Sequence, residues 1–195
     1  MKTVIRLFVA LVLLVEILAG CAGTETNNRT AAPGNDAVSE KAVQEAAKWP
    51  RTYVDALGRE IVLAKKPEKV ALLFFRNFEH LFLLDETPVA ATDLNVLQEW
   101  ESLAPYKDKQ IVDIGSMTNP NLEKLLEVGP DLIIIVSGRY GSYGDKLEKI
   151  APVVTVDSNE NNWQGALREY GKIFGKEQKA EDEIKRIETL IANSK

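Results

Sequence analysis

Short apolar runs alternate with stretches of helical spacing through most of this chain. Val70 to Phe74, Val89 to Ala91, Ile111-Val112, Leu132 to Val136 and Val153 to Val156 are apolar on both faces. Runs of that length rich in Val and Ile predict buried strands. Between them, Phe78 to Leu84, Val96 to Leu103, Leu122 to Val128 and Tyr143 to Ile150 carry apolar residues at helical spacing. Strands apolar on both sides and separated by helices predict an α/β fold, a parallel sheet with helices on both faces. Ahead of this rhythm, Tyr53-Val54 and Glu60 to Leu63 flank Asp55-Ala56-Leu57-Gly58-Arg59. Glycine there makes a positive φ inexpensive, which predicts a short β-hairpin.

The two ends break the rhythm. From Trp163 to Ala192 there is no proline, and Leu167, Tyr170, Phe174, Ile184, Ile187 and Ile191 keep roughly helical spacing. The pattern predicts one long helix, weakened at Gly171 and Gly175 by about 1 kcal/mol each relative to alanine. About 30 residues of helix span about 45 Å, enough to reach past a domain of this size. At the other end, Lys2 and Arg6 precede an apolar run from Leu7 to Val15, and Leu18-Ala19-Gly20 lead into Cys21, the only cysteine. A positive start, a short apolar run and small residues are the layout of a secretory signal peptide. The run falls short of the roughly 20 residues that span a bilayer. Residues 22 to 50 hold almost no large apolar side chain before Trp49 and cannot bury enough surface to offset their ordering entropy. The expected organisation is a leader over 1–20, a tether over 21–50, an α/β domain over 51–162 and the long helix over 163–195.

Charge narrows the function. The 195-residue chain carries a net charge of −5, and losing residues 1–20 makes it one unit more acidic. With no basic stripe interleaved with aromatics, a nucleic-acid partner is excluded. The single histidine, His80, falls inside a predicted helix and reads as a surface or boundary residue. No phosphate loop, dinucleotide fingerprint or nucleophile elbow is present, and one histidine is a poor start for a metal site. No cofactor is expected.

Ligands of open parallel sheets bind outside the carboxyl ends of the strands. The residues that follow the predicted strands include Phe75, Arg76 and Asn77, then Thr92 and Asp93 with Trp100 further on, then Ser137 through Tyr143. Two arginines and several aromatics share one rim. The guanidinium fork suits anionic oxygens, and aromatic faces offer flat apolar surface. The competing reading leaves Arg76 and Arg139 as solvated loop charges and packs Tyr140 or Tyr143 on the sheet end.

The span from Thr52 to Ala192 resembles the N-terminal lobe and linking helix of the substrate-binding lipoproteins of iron-siderophore ABC importers. The resemblance rests on "TYVDALGREIVLAKKPEKVALL", "NPNLEKLLEVGPDLIIIVSGR" and "YGDKLEKIAPVVTVD". It implies two α/β lobes joined by a stiff helix, with a ferric siderophore between them as ligand, and it makes this chain the first lobe alone, from a truncated or split gene. It assigns Arg76, Trp100, Arg139 and Tyr140 to the N-lobe half of the cleft. Leu18-Ala19-Gly20-Cys21 resembles a lipobox, which makes Cys21 the lipidated N-terminus of a membrane-tethered protein; the plain alternative is a buried cysteine. Glu123 is implied to dock on the permease subunits. Asn119 as cap and Pro120 as first helical residue would place it in the first turn, where a carboxylate is also simply favoured. Asp85-Glu86-Thr87 stand where the family has a glycine turn. The competing functions are a tethered interaction module that docks a partner without binding substrate, a haem or cobalamin binder of the same family, and an exported enzyme.

Overall fold

The computed structural model of the chain describes residues 48–157 and 162–194. The leader, Cys21 and nearly all of the expected tether lie outside the described residues.

Strands β1 (Arg51–Val54) and β2 (Glu60–Leu63) form the antiparallel hairpin, with Arg51 opposite Leu63. The main sheet uses β3 (Val70–Leu72), β4 (Ala90–Ala91), β5 (Val112–Asp113), β8 (Leu132–Val136) and β9 (Val153–Val156) in the order β5-β4-β3-β8-β9. Every neighbouring pair is parallel. Two further short strands, β6 (Gly115–Ser116) and β7 (Asn119–Pro120), pair antiparallel beside it.

Strand side chains alternate between faces, and that alternation divides the core in two. Leu72, Ile134 and Val154 face the larger cluster, with α1 (Phe78–Leu83), α2 (Val96–Glu99) and α5 (Trp163–Phe174). Ala71, Leu73, Ile133, Ile135 and Val153 face the other, with α3 (Leu122–Val128) and α4 (Ser137–Leu147). All five residues of β8 are buried. Fully burying one such side chain contributes about 1.5–3 kcal/mol, so β8 outweighs any local propensity around it.

The C-terminal segment differs from the expected single helix. Helix α5 ends at Gly175, which takes a left-handed conformation (φ 65°) and donates its N–H to the Gly171 and Lys172 carbonyls. Helix α6 (Glu177–Asn193) then runs back along α5. Arg168 pairs with Glu181 and Gln164 with Glu188, the crossing pattern of an antiparallel helical hairpin. Gly171 permits the close approach: a Cβ there would sit 2.9 Å from Ala180 Cβ and 3.3 Å from the Lys176 oxygen. The two glycines are the turn and the contact point of the hairpin. A helix of 17 residues is about 25 Å long. Ile184 is its last buried residue, and Leu190 and Ile191 are exposed.

Two further boundaries move. Helix α4 begins at Ser137, directly after β8, so "SGRYGSYG" forms helix where a loop is expected up to Tyr143. Its three glycines cost about 1 kcal/mol each, offset by burial of Leu147 against the sheet. The cap of α3 is Asn121, whose side chain accepts the Lys124 N–H at 2.9 Å, while Asn119 and Pro120 pair with β6. At the turn after α1, Asp85 adopts φ 54°, the conformation for which glycine is the ordinary choice. Lys179 pairs with the Asp85 carboxylate at 2.6 Å and Lys176 with Glu86 at 2.6 Å, tying that turn to α6.

Candidate functional site

The sheet order places the candidate site. From β3 the chain moves outward to β4 and β5, then returns to the other side of β3 for β8 and β9. The strand order therefore reverses between β3 and β8, and a crevice opens outside their carboxyl ends at such a switch point. Leu72 pairs with Ile134 across this junction. From that register the two chains continue to Arg76, in a 3-10 turn over Phe75–Asn77, and to Arg139, in the first turn of α4. Both arginines thus rise from neighbouring strand ends.

Arg76 is exposed, with its guanidinium 5.5 Å from the Phe75 ring centre. Phe75 meets Trp100 edge to face, centroids 5.7 Å apart at 83°. Such a pair holds both rings in a fixed relation. Trp100 and Phe75 are half-buried, packed at their base on the larger core cluster. Arg139 is half-buried, and no described residue pairs with it. After β4 and on β5, Asp93 accepts the Met117 N–H and Asp113 the Gly115 N–H, each at 2.8 Å. Arg76 with the Phe75–Trp100 pair, and Arg139 at the start of α4, thus follow the two strand ends that flank the switch point. Phe75 comes three residues after β3, and its place just after the apolar run Val70 to Phe74 was the only signal for it in the sequence.

Tyr140 does not join the rim. Its ring lies along α4 over Gly144, where a Cβ would come within 2.5 Å of it. Its hydroxyl donates to Glu148 Oε1 at 2.5 Å, and the Arg59 guanidinium stacks on the ring at 4.0 Å. The helix extension to Ser137 explains the difference. Placed on a helix instead of in a loop, Tyr140 can reach along the axis to the hairpin. There Asp55, 5% exposed, accepts Arg59 Nη2 at 2.7 Å and Thr155 Oγ1 at 2.8 Å. Burial pushes the Asp55 carboxyl up, but hydrogen bonds from Arg59, Thr155 and the Leu57 N–H outweigh it and hold the group below its ordinary range.

Glu123 is exposed in the first turn of α3, on the opposite side of the sheet from α1 and α5. His80 lies against Tyr170, rings stacked at 5.5 Å, with Nδ1 lacking a partner among the described residues. Burial lowers its pKa, against the Glu79 charge and a hydrogen bond with the Trp163 backbone. It lines a groove of about 400 Å³ with Leu83, Tyr106, Trp163, Ile187 and Ile191. Neither arginine borders this apolar groove, so the rim and not the groove is the candidate site. Among the described residues no three His, Cys, Asp or Glu side chains are grouped to hold a metal ion.

A parallel sheet whose strand order reverses at β3 and β8 is the architecture in which ligands sit outside the strand ends. Residues 70–193 match the periplasmic binding protein family, and the chain belongs to it. This is a family of binding proteins and not of enzymes. Petrobactin-binding protein YclQ of Bacillus subtilis is 30% identical over 200 residues, covering 100% of this chain and 58% of the relative. The probable siderophore-binding lipoprotein YfiY of the same organism is 26% identical over 195 residues, covering 100% and 56%. The crystal structure of Staphylococcus aureus SirA complexed with staphyloferrin B superposes with a TM-score of 0.63 at 28% identity, over 73% of this chain and 48% of that one. The chain spans little more than half the length of these curated relatives.

Proposed function

We propose that this chain supplies the ligand-binding lobe of a lipid-anchored receptor that hands iron(III)-siderophore complexes to an ABC permease. The observation that carries the reading is the pair of arginines at the switch point beside the Phe75–Trp100 edge. A siderophore already fills the coordination shell of iron, so its receptor needs cations and flat apolar surface in place of metal ligands. The rim offers those groups. Relatives named for petrobactin and siderophores support the substrate class, and a relative named as a lipoprotein supports anchoring through Cys21. Arg76, Arg139 and Trp100 touch the chelate, and Tyr140 acts through the lobe's internal packing instead. Glu123, exposed on α3, contacts the permease.

Titration of the purified chain with iron(III)-siderophore complexes, followed by equilibrium dialysis of labelled iron, tests this reading. An open rim leaves much of a bulky ligand in water, so binding is expected to be weak and salt-dependent. Arg76→Ala and Arg139→Ala each weaken it about tenfold, the scale of one charge-assisted hydrogen bond. Binding unchanged by either substitution would overturn the assignment.

A further inference from the structure

We infer that His80 is an acid-sensitive latch between α1 and α5, and that its protonation loosens α1 together with the end of the turn that carries Arg76. The latch belongs to the lobe's own packing and does not depend on what the lobe binds.

His80 is the single histidine of the chain, so no other side chain has its ordinary pKa so close to neutrality. From α1 its ring stacks on Tyr170 of α5, centroids 5.5 Å apart and planes 16° from parallel, and it hydrogen-bonds the Trp163 backbone. Its Nδ1 is shielded from water and has no partner among the described residues. A neutral imidazole leaves only a lone pair there. An imidazolium puts an N–H and a charge in the same place, which costs more. The stacked Tyr170 ring covers the imidazole face, whereas an Nδ1–H points in the imidazole plane, so the ring accepts nothing from it.

The groove beside the ring brings little charge to offset this. Its walls are Leu83 of α1, Tyr106 of the 3-10 segment Glu101–Tyr106, Trp163 of α5, and Ile187 and Ile191 of α6. The carboxylate that borders it, Glu79, already accepts Ser102 Oγ at 2.8 Å, and Glu188 of α6 is met by Gln164 at 3.3 Å. Burial lowers the His80 pKa, and neither the Glu79 charge nor the Trp163 hydrogen bond outweighs it. With α1 packed, the ring therefore stays neutral below its ordinary value of 6.5; with α1 displaced, it meets water and takes up a proton near that value. Displacement is unaffected above that pH and favoured as the pH falls below it, by up to about tenfold over the first pH unit. Helix α1 starts at Phe78, two residues after Arg76. At its other end the N–H groups of Leu84, Asp85 and Glu86 donate to the Leu81 and Phe82 carbonyls, so these amides report when it opens.

Two measurements on the purified full chain test the latch. The imidazole signals, which come from one residue, are followed by NMR from about pH 7.5 to about pH 5. Amide hydrogen exchange is compared at about pH 6.5 and about pH 5.5 after correction for intrinsic rates. The imidazole is expected to titrate below 6.5. Opening at Leu84, Asp85 and Glu86 is expected to rise by about threefold to tenfold, and opening at Ile133 and Ile135 in β8 by less. His80→Gln, which stays uncharged, should abolish the rise. Titration at or above 6.5, unchanged opening, an equal rise in β8, or the same rise in His80→Gln would each overturn the latch. Should His80→Gln fail to fold, the first three outcomes still decide, because the chain holds no other imidazole.

Discussion

The Asp55 carboxylate is buried beneath the hairpin and joins three parts of the fold. One oxygen accepts the Leu57 and Arg59 N–H groups at 3.0 and 2.9 Å and shapes the turn. The other accepts Thr155 Oγ1 on β9 and the Arg59 guanidinium, which in turn reaches Glu148 at 2.7 Å beyond α4. Removing the carboxylate leaves the buried Thr155 hydroxyl and the turn N–H groups without their acceptor, at about 1–3 kcal/mol for a buried group. Asp55→Ala is therefore expected to destabilise the domain by about 3 kcal/mol in urea unfolding. The pH dependence has a definite sign. A carboxyl held below its ordinary pKa of 3.8 adds stability that is complete above that value and is lost as pH falls through the lower folded value. The acid limb of the stability curve should flatten in Asp55→Ala. An unaltered limb would show that other carboxylates govern acid unfolding.

At the scale of elements, the α5–α6 hairpin depends on two glycines with different duties. Gly175 holds φ 65° at the turn, a conformation that costs an ordinary residue about 1–2 kcal/mol. Gly171 has no such φ but lies where Ala180 and the Lys176 backbone approach. Gly175→Ala should cost about 1 kcal/mol and leave the helices packed. Gly171→Leu should cost more, about 1–3 kcal/mol, because overpacking forces the helices apart. Denaturant midpoints decide the ranking, and equal costs would contradict the distinction. Periodicity located both helices but joined them, because a 3.6-residue repeat records which face is apolar and says little about a reversal of direction. The glycines were legible as weak points; their role as a turn depended on what α6 packs against.

At the scale of the whole molecule, the proposed ligand rim and the proposed permease contact use different side chains: Arg76 and Arg139 follow the ends of β3 and β8, while Glu123 is exposed in the first turn of α3. Substituting Glu123 therefore leaves the rim residues themselves in place. In cells carrying the complete uptake system, Glu123→Arg is expected to reduce siderophore-dependent iron uptake while chelate binding by the purified protein stays unchanged. Cys21→Ser in the same cells should move the protein from the membrane to the soluble fraction. Normal uptake in the first variant would remove Glu123 from the interface, and retained membrane association in the second would remove the lipid anchor.

The apolar patterning of β3, β8 and β9 by itself determined an α/β fold with a two-sided sheet, because strands buried on both faces can satisfy hydrophobic burial in few other ways. It also pointed to the strand ends as the place for a ligand, and the family resemblance singled out Arg76, Trp100, Arg139 and Tyr140 there. Tertiary structure alone decided which strands are neighbours. That order puts the switch point between β3 and β8 and brings the two arginines to one crevice, a relation between residues far apart in the chain. It also turned Tyr140 away from the rim, since the partners Arg59 and Glu148 that draw it along α4 come from the hairpin and the helix end. Local spacing marks which side chains seek burial or water; their partners emerge only when distant segments pack together.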